Sequence, residues 1–307
     1  MMAKQFYSNG KLLLTGEYAV LDGATSLAIP TRYGQSLNVK EIESPKLLWK
    51  SLDDKGATWF EMGMDIPSWG MQYELSAKKS LKDTLLKILS MAKALNPKFM
   101  DGSRGYKIET KLDFPRNWGL GSSSTLINNI AQWAGVDPYQ LLWKTFTGSG
   151  YDIACAQFDH PILYQLNDQK PYVQKVHFDP PFKQHLFFIY QNRKQDSREG
   201  IAQYRKTDIN TSYFVHQVTG ITKRIIASKS QSEFNDLITE HENLLATTLN
   251  LVPVQKSVFP DFIGAIKSLG AWGGDFVLAS GNEDTVSYFK EKGYDTVIPY
   301  SEMVLQP

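Results

Sequence analysis

Trp118-Gly119-Leu120-Gly121-Ser122-Ser123-Ser124-Thr125 places two glycines two residues apart and then a run of hydroxyls. Glycines there allow tight turns and close approach by a ligand. The run leads into apolar residues at helical spacing, Leu126, Ile130 and Ala134 beside Ile127 and Ala131, so a loop feeds a helix. The first N–H groups of a helix lack intrahelical partners and sit at the positive end of its dipole, which makes such a loop a cradle for phosphate. The same residues also fit an ordinary serine-capped helix start. Two other stretches supply what a cradle lacks. Gly148-Ser149-Gly150-Tyr151-Asp152 bends the chain and presents Asp152 at the head of the apolar run 153–156, and Lys11 is a cation beside a strand-like segment. Phosphoryl transfer to an alcohol needs a cradle and metal for the triphosphate, a group that accepts the hydroxyl proton, and positive charge for the anionic transition state. The chain offers one of each, although an Asp after Ser-Gly is often a turn residue and a lysine is often merely solvated.

The elements that must position these residues follow from periodicity and turn signals. An apolar strand over 6–14, the turn Asp22-Gly23 and a second strand over 25–29 predict a hairpin, with Lys11 and Glu17 flanking its first strand. Residues 33–74 read as short strands broken at Pro45, Gly56, Gly63 and Pro67. An amphipathic helix is expected over 75–95, closed by Asn96-Pro97, and an alternating strand over 106–114 delivers the chain to the glycine loop. Helix 122–134 should stop at Gly135, and Asp137-Pro138 should cap another through about residue 146. Strands are expected over 162–166 and 171–177. Asp179-Pro180-Pro181 then marks a domain boundary, giving domains 1–180 and 181–307. The second half reads as strand 185–190, helices 211–228, 233–249 and 258–268, strand 275–280, helix 283–292 and strand 295–299, an α+β order.

The 307 residues can bury a full core, with 42% hydrophobic and 21% charged content. Thirty-three basic against 32 acidic residues leave a net charge of +1, so no global field recruits nucleic acid or an anionic membrane, and anions must be bound locally. Neither partner is expected. One cysteine, Cys155, excludes an intrachain disulfide and reads as a small buried residue. With no apolar signal core at the N-terminus and no membrane-length apolar run, a cytoplasmic monomer or homodimer is the expectation. The five histidines, at 160, 177, 185, 216 and 241, show no ligand spacing and read as structural.

Four stretches in order resemble the signatures of the GHMP kinases, the family of galactokinase, homoserine kinase, mevalonate kinase and phosphomevalonate kinase. Gly10-Lys11-Leu12-Leu13-Leu14-Thr15-Gly16-Glu17-Tyr18-Ala19-Val20 resembles the first signature, especially its phosphomevalonate kinase form. Residues 115–124, around Gly119-Leu120-Gly121-Ser122-Ser123-Ser124, resemble the second. Ser149-Gly150-Tyr151-Asp152-Ile153-Ala154 resembles the segment of the catalytic Asp, and Gly270-Ala271-Trp272-Gly273-Gly274-Asp275 the glycine-rich third signature. The resemblance implies ATP, magnesium and phosphorylation of a hydroxyl or phosphate group on a small metabolite, nearest to phosphomevalonate and mevalonate. It implies Asp152 as base with Lys11 beside it, Ser123 on magnesium, Gly119 to Ser124 on the nucleotide phosphates, and Glu17, Gly273, Gly274 and Asp275 toward the acceptor. The implied fold is a domain like ribosomal protein S5 domain 2 followed by a ferredoxin-like domain.

Departures from the pattern are specific. The run 141–148 has no acidic residue where mevalonate kinases carry a metal-ligating Glu, a residue that phosphomevalonate kinases also commonly lack. The stretch between Ser124 and Asp152 is short for the family, and Trp272 replaces a small residue, either filling part of the acceptor site or packing beneath it. Lys194, Ser197 and Arg198, in the charged segment 192–199, correspond to a region of substrate contacts and equally fit a solvated turn. Two rivals remain open. A lyase resembling diphosphomevalonate decarboxylase shares the fold and ATP loop but usually lacks the Lys11-type signature. A non-catalytic nucleotide-sensing relative fits the missing Glu and Trp272, yet has no need of a base at Asp152.

Overall fold

The computed structural model describes residues 3–66, 80–102, 104–194, 197–272 and 274–306. It divides into two compact units that interleave along the chain. The first comprises Met1–Gly10, Tyr33–Arg116 and Leu120–Gln157, the second Lys11–Arg32, Asn117–Gly119 and Phe158–Pro307.

Strand β1 (Lys4–Leu13) pairs with β2 (Ser26–Ile42), and both strands contribute residues to each unit. In the first unit β2 runs antiparallel to β5 (Gly105–Leu112), with Val39 opposite Ile108. Strand β5 runs parallel to β3 (Lys46–Leu52), which turns back on β4 (Thr58–Asp65). The inward residues Leu37, Val39, Leu47, Trp49 and Ile108 form one core with Leu85, Ile88, Leu89 and Ala92 of helix α1 (Leu81–Leu95). That apolar face recurs every three to four residues, the pattern read from sequence. Ser80 and Asp83 form a reciprocal capping box at its start, so the helix begins later than the expected residue 75. Residues 75–79 and the expected break at Pro67 lie outside the described residues, and Gly63 lies within β4 rather than ending it.

Helix α2 (Ser122–Ala134) stops at Gly135, whose φ of 65° is the left-handed conformation expected of a terminating glycine. Asp137 caps α3 (Pro138–Thr145) by accepting hydrogen bonds from the N–H groups of Tyr139 and Gln140, and α4 is Tyr151–Gln157. The expected bounds of α2 and α3 therefore hold to within a residue.

In the second unit the start of β2 pairs with β6 (Ile162–Asn167), which turns back as β7 (Lys170–Lys175). A separate antiparallel sheet has the order β11 (Val297–Pro299), β8 (Leu186–Tyr190), β10 (Phe276–Ser280), β9 (Ala265–Ser268). Between β8 and β9 lie helices α5 (Ser197–Tyr204), α6 (Thr211–Ala227), α7 (Gln231–Leu249) and α8 (Val254–Val258). Helix α9 (Thr285–Glu291) lies between β10 and β11, and α10 (Tyr300–Met303) follows.

One expectation is corrected here. Residues 258–268 are not a helix. Helix α8 ends at Val258 before Pro260, Gly264 takes φ 140°, and 265–268 form β9 with all four residues buried. With Lys267 and Ser268 buried beside Ala265 and Ile266, four residues carry no polar–apolar alternation that separates strand from helix. The segment 192–199, weighed as substrate contacts or a solvated charged turn, bends at Asn192 and Arg193 and enters α5 at Ser197.

Candidate functional site

The glycine loop behaves as its residues require. In the first unit Gly121 holds φ 92° at the N-cap of α2, with no side chain capping the helix and no acidic residue in its first turn. No acidic residue of the helix's own first turn competes for the opening N–H groups, which lie at the positive end of a 13-residue helix. Ser123 is exposed and Ser122 half-buried. Ser124 is turned inward, its Oγ donating to the carbonyl of Gly121 at 2.8 Å, so this hydroxyl shapes the loop rather than facing a ligand. The Leu120 side chain is fully buried and leaves only its backbone for a ligand.

Asp152 is the second residue of α4 and half-buried. Gly148 and Gly150, at φ 143° and 89°, make the bend before it in conformations closed to most side chains. Also in this unit, the Arg116 guanidinium lies 3.8 Å over the Trp59 ring.

In the second unit Lys11 lies within β1 and is half-buried. Glu17, expected toward the acceptor, is turned away from solvent. Its carboxylate is fully buried, paired with Lys267 of β9, and 3.6 Å from His241 Nε2 of α7. Burial raises its pKa to about 7 against the opposing pull of the Lys267 ammonium. Glu242 joins the cluster, accepting from Ser268 N–H at 3.0 Å and Ser268 Oγ at 2.7 Å, and burial raises its pKa as well. His241 accepts the Gly16 N–H at 3.1 Å and is held well below the ordinary imidazole range, first by burial and then by Lys267. The cluster fastens Gly16-Glu17 to α7 and β9. His241 is structural, as read from sequence, whereas the partnership with Lys267 had no local signal.

The first and third glycine-rich stretches meet in this unit. The Tyr18 hydroxyl donates to the Ala271 carbonyl at 2.8 Å. Trp272 is 6% exposed and packs in one cluster with Tyr18, Phe214 and Leu245. Asp275, at φ 57°, is held through its backbone, its N–H donating to the Arg193 carbonyl and its carbonyl accepting from Gln191 N–H, both at 2.8 Å. Gln191 Nε2 also donates to the Gly274 carbonyl at 3.1 Å. The Asp275 carboxyl abuts Gly119, and Trp118 packs edge-on against Phe276, ring centres 5.4 Å apart. Lys194 is exposed, while Gly273 and the side chains of Ser197 and Arg198 lie outside the described residues. Among the described residues no group of three or more His, Cys, Asp or Glu gathers as a metal cage, and no helix is long and apolar enough to cross a membrane.

No protein-family model and no curated protein sequence matches the chain. Solved structures do. Mevalonate kinase of Methanococcus jannaschii aligns over 100% of this chain and 99% of its own, with 17% identity and a TM-score of 0.72. Phosphomevalonate kinase of Streptococcus pneumoniae, solved with phosphomevalonate and AMPPNP, aligns over 100% and 99%, with 16% identity and a TM-score of 0.69. Galactokinase of Lactococcus lactis, solved with galactose, aligns over 99% and 93%, with 14% identity and a TM-score of 0.71. The chain has the fold of these small-molecule kinases from end to end, and at the level of fold this agrees with the resemblance read from its glycine-rich stretches.

Proposed function

We propose that this chain is an ATP- and magnesium-dependent small-molecule kinase of the GHMP type. The observation that carries the reading is the uncapped start of α2 behind a left-handed Gly121, within the stretch that resembles the second GHMP signature. The strand order β11-β8-β10-β9, with helices between β8 and β9 and between β10 and β11, supports the ferredoxin-like reading of the chain after residue 180.

In this mechanism the backbone from Gly119 to Ser123 binds the nucleotide phosphates. With no acidic cage among the described residues, the exposed Ser123 hydroxyl is the residue that would hold a magnesium ion brought in with the nucleotide. A magnesium ion held there would supply positive charge to the nucleotide phosphates. An acceptor oxygen attacks the γ-phosphorus, the bond to the bridging β–γ oxygen breaks, and ADP leaves. Asp152 takes a hydroxyl acceptor's proton, and Lys11 supplies positive charge.

For the acceptor, the absence of any acidic residue over 141–148 and the Gly-Gly-Asp end of the third stretch support phosphomevalonate over mevalonate. A phosphorylated acceptor brings about −1.5 to −2 charges, and Lys11, Lys194 and Arg198 are the cations nominated to meet it. The test is an ADP-release screen. Release should rank phosphomevalonate above mevalonate, and both above galactose and homoserine. Neutralising Lys194 and Arg198 should abolish the preference for phosphomevalonate. Release with a sugar or amino alcohol alone keeps the kinase and replaces the acceptor, and release with no acceptor at all favours a sensing protein. Gly121→Val should weaken ATP binding at least tenfold in a folded protein, because a branched side chain at φ 92° is strained and fills the cradle. Unchanged ATP affinity would place the nucleotide elsewhere.

A further inference from the structure

Helix α2 carries two adjacent asparagines, Asn128 and Asn129, both fully buried on a face otherwise made of Ile127, Ile130, Ala131 and Ala134. Asparagine is a poor helix former, and a buried amide without partners costs about 1 to 3 kcal/mol. Here the amides are linked into a chain of hydrogen bonds that crosses the first unit. Gln157 Nε2, at the end of α4, donates to Asn128 Oδ1 at 3.1 Å. Asn128 Nδ2 donates to Ser8 Oγ of β1 at 2.9 Å, and Ser8 Oγ donates to Asn129 Oδ1 at 2.8 Å. Asn129 Nδ2 donates to the carbonyl of Gln35 on β2 at 2.9 Å. The Gln35 side-chain carbonyl accepts from Thr125 Oγ1 at 2.7 Å, one turn from the glycine loop.

Apolar packing alone would let α4 slide or rotate on α2 at little penalty, since aliphatic contacts are non-directional. Hydrogen bonds between buried amides have one geometry, and breaking one strands a donor or acceptor away from water. The chain therefore fixes the register of α4 against α2, and α4 carries Asp152 five residues before Gln157. On the other side it fixes the first turn of α2, where Thr125 also lies 3.1 Å from the Gly121 carbonyl.

We propose that Asn128 and Asn129 are positioning residues, which hold the Asp152 helix and the phosphate-loop end of α2 in one fixed register. The proposal rests on the kinase reading for Asp152 and extends it to residues that touch no substrate. Misplacing a catalytic group by about 1 Å can lower turnover 10²-fold, whereas ATP affinity depends on the loop backbone.

The experiment compares Gln157→Met, on an accessible side chain that folding tolerates, with Asn128→Leu, measuring steady-state kinetics and amide hydrogen exchange. In both variants kcat should fall tenfold or more while KM for ATP stays within twofold. The α4 amides from Ile153 to Ala156 should exchange at least tenfold faster. The Asn128→Leu/Gln157→Met double variant should lose little more than Asn128→Leu alone, because Gln157 acts through its bond to Asn128. If Gln157→Met keeps kcat within twofold, the network is structural only and the proposal fails, whether or not α4 exchange changes. Wild-type protein that transfers phosphate to no acceptor overturns the kinase reading, and the exchange rates then decide alone whether the network holds α4.

Discussion

The Asp275 carboxyl occupies the space that a β-carbon on Gly119 would need: an atom built there lies 2.3 Å from the carboxyl carbon and 2.3 Å from Oδ2. Gly119 also holds φ 69°, so both backbone conformation and crowding demand glycine. The second and third glycine-rich stretches, more than 150 residues apart in sequence, thus meet through the absence of one side chain. Gly119→Ala should lower stability by about 1 to 2 kcal/mol from left-handed backbone alone, with a further loss from the clash. Adding Asp275→Gly should recover the clash and leave the backbone component. Urea midpoints of the two single variants and the double variant check this, and strictly additive losses would show that the contact does not form.

Asp152→Asn preserves shape and removes the base. Turnover should fall by about 10²- to 10⁴-fold with ATP affinity nearly unchanged, and Lys11→Met should likewise reduce turnover more than nucleotide binding. Full activity in both variants on an identified acceptor would remove these residues from the mechanism.

Where the sequence was legible, the signals were local. Gly121, Gly135 and Asp137-Pro138 punctuate the chain through backbone conformation and capping, and the bounds of α2 and α3 follow from them without tertiary information. The bend at Gly148 and Gly150 is of the same kind. What escaped depends on distant partners. Glu17 reads as a functional acid until Lys267, 250 residues later, is placed beside it in the interior. Strand β9 escaped because two of its four residues, Lys267 and Ser268, are polar and are buried only through Glu17 and Glu242. The Asn128-Asn129 pair was not singled out in the sequence, because Ser8, Gln35 and Gln157 become their partners only in the folded unit.

Lys267 is a fully buried cation facing Glu17, with Glu242 contributing to the same field. Lys267→Met removes it and leaves the buried acids without a counter-charge, which should cost about 3 to 5 kcal/mol. Glu17→Gln together with Lys267→Met removes both members of the pair and should cost less than Lys267→Met alone. Denaturant titration at pH 7 measures both. A double variant less stable than the single one would show that the pair is not the dominant interaction of Lys267.

His241 sets a pH dependence whose sign is fixed by its surroundings. Its Nε2 accepts the Gly16 N–H, which assigns the proton to Nδ1 and makes the ring neutral, while Glu17 from the loop after β1 and Lys267 from β9 face it. In the unfolded chain the imidazole takes up a proton below its ordinary pKa of 6.5, and in the folded protein it resists doing so. The unfolded state therefore binds more protons below pH 6.5, so the His241 contribution is present above that value and is lost as the pH falls. Glu17 acts with the opposite sign: between its ordinary 4.5 and its raised value of about 7 the folded protein keeps a proton that the unfolded chain has released, so its contribution falls as the pH rises through that window. Comparing wild type with His241→Gln isolates the imidazole, because Glu17 is present in both. The stability of wild type relative to the variant should increase from pH 5 to about pH 7 and level off above it, read from urea midpoints across that range. Parallel curves for the two proteins would mean that the buried ring takes up a proton as readily as an exposed one, and that the Gly16 N–H does not hold it neutral.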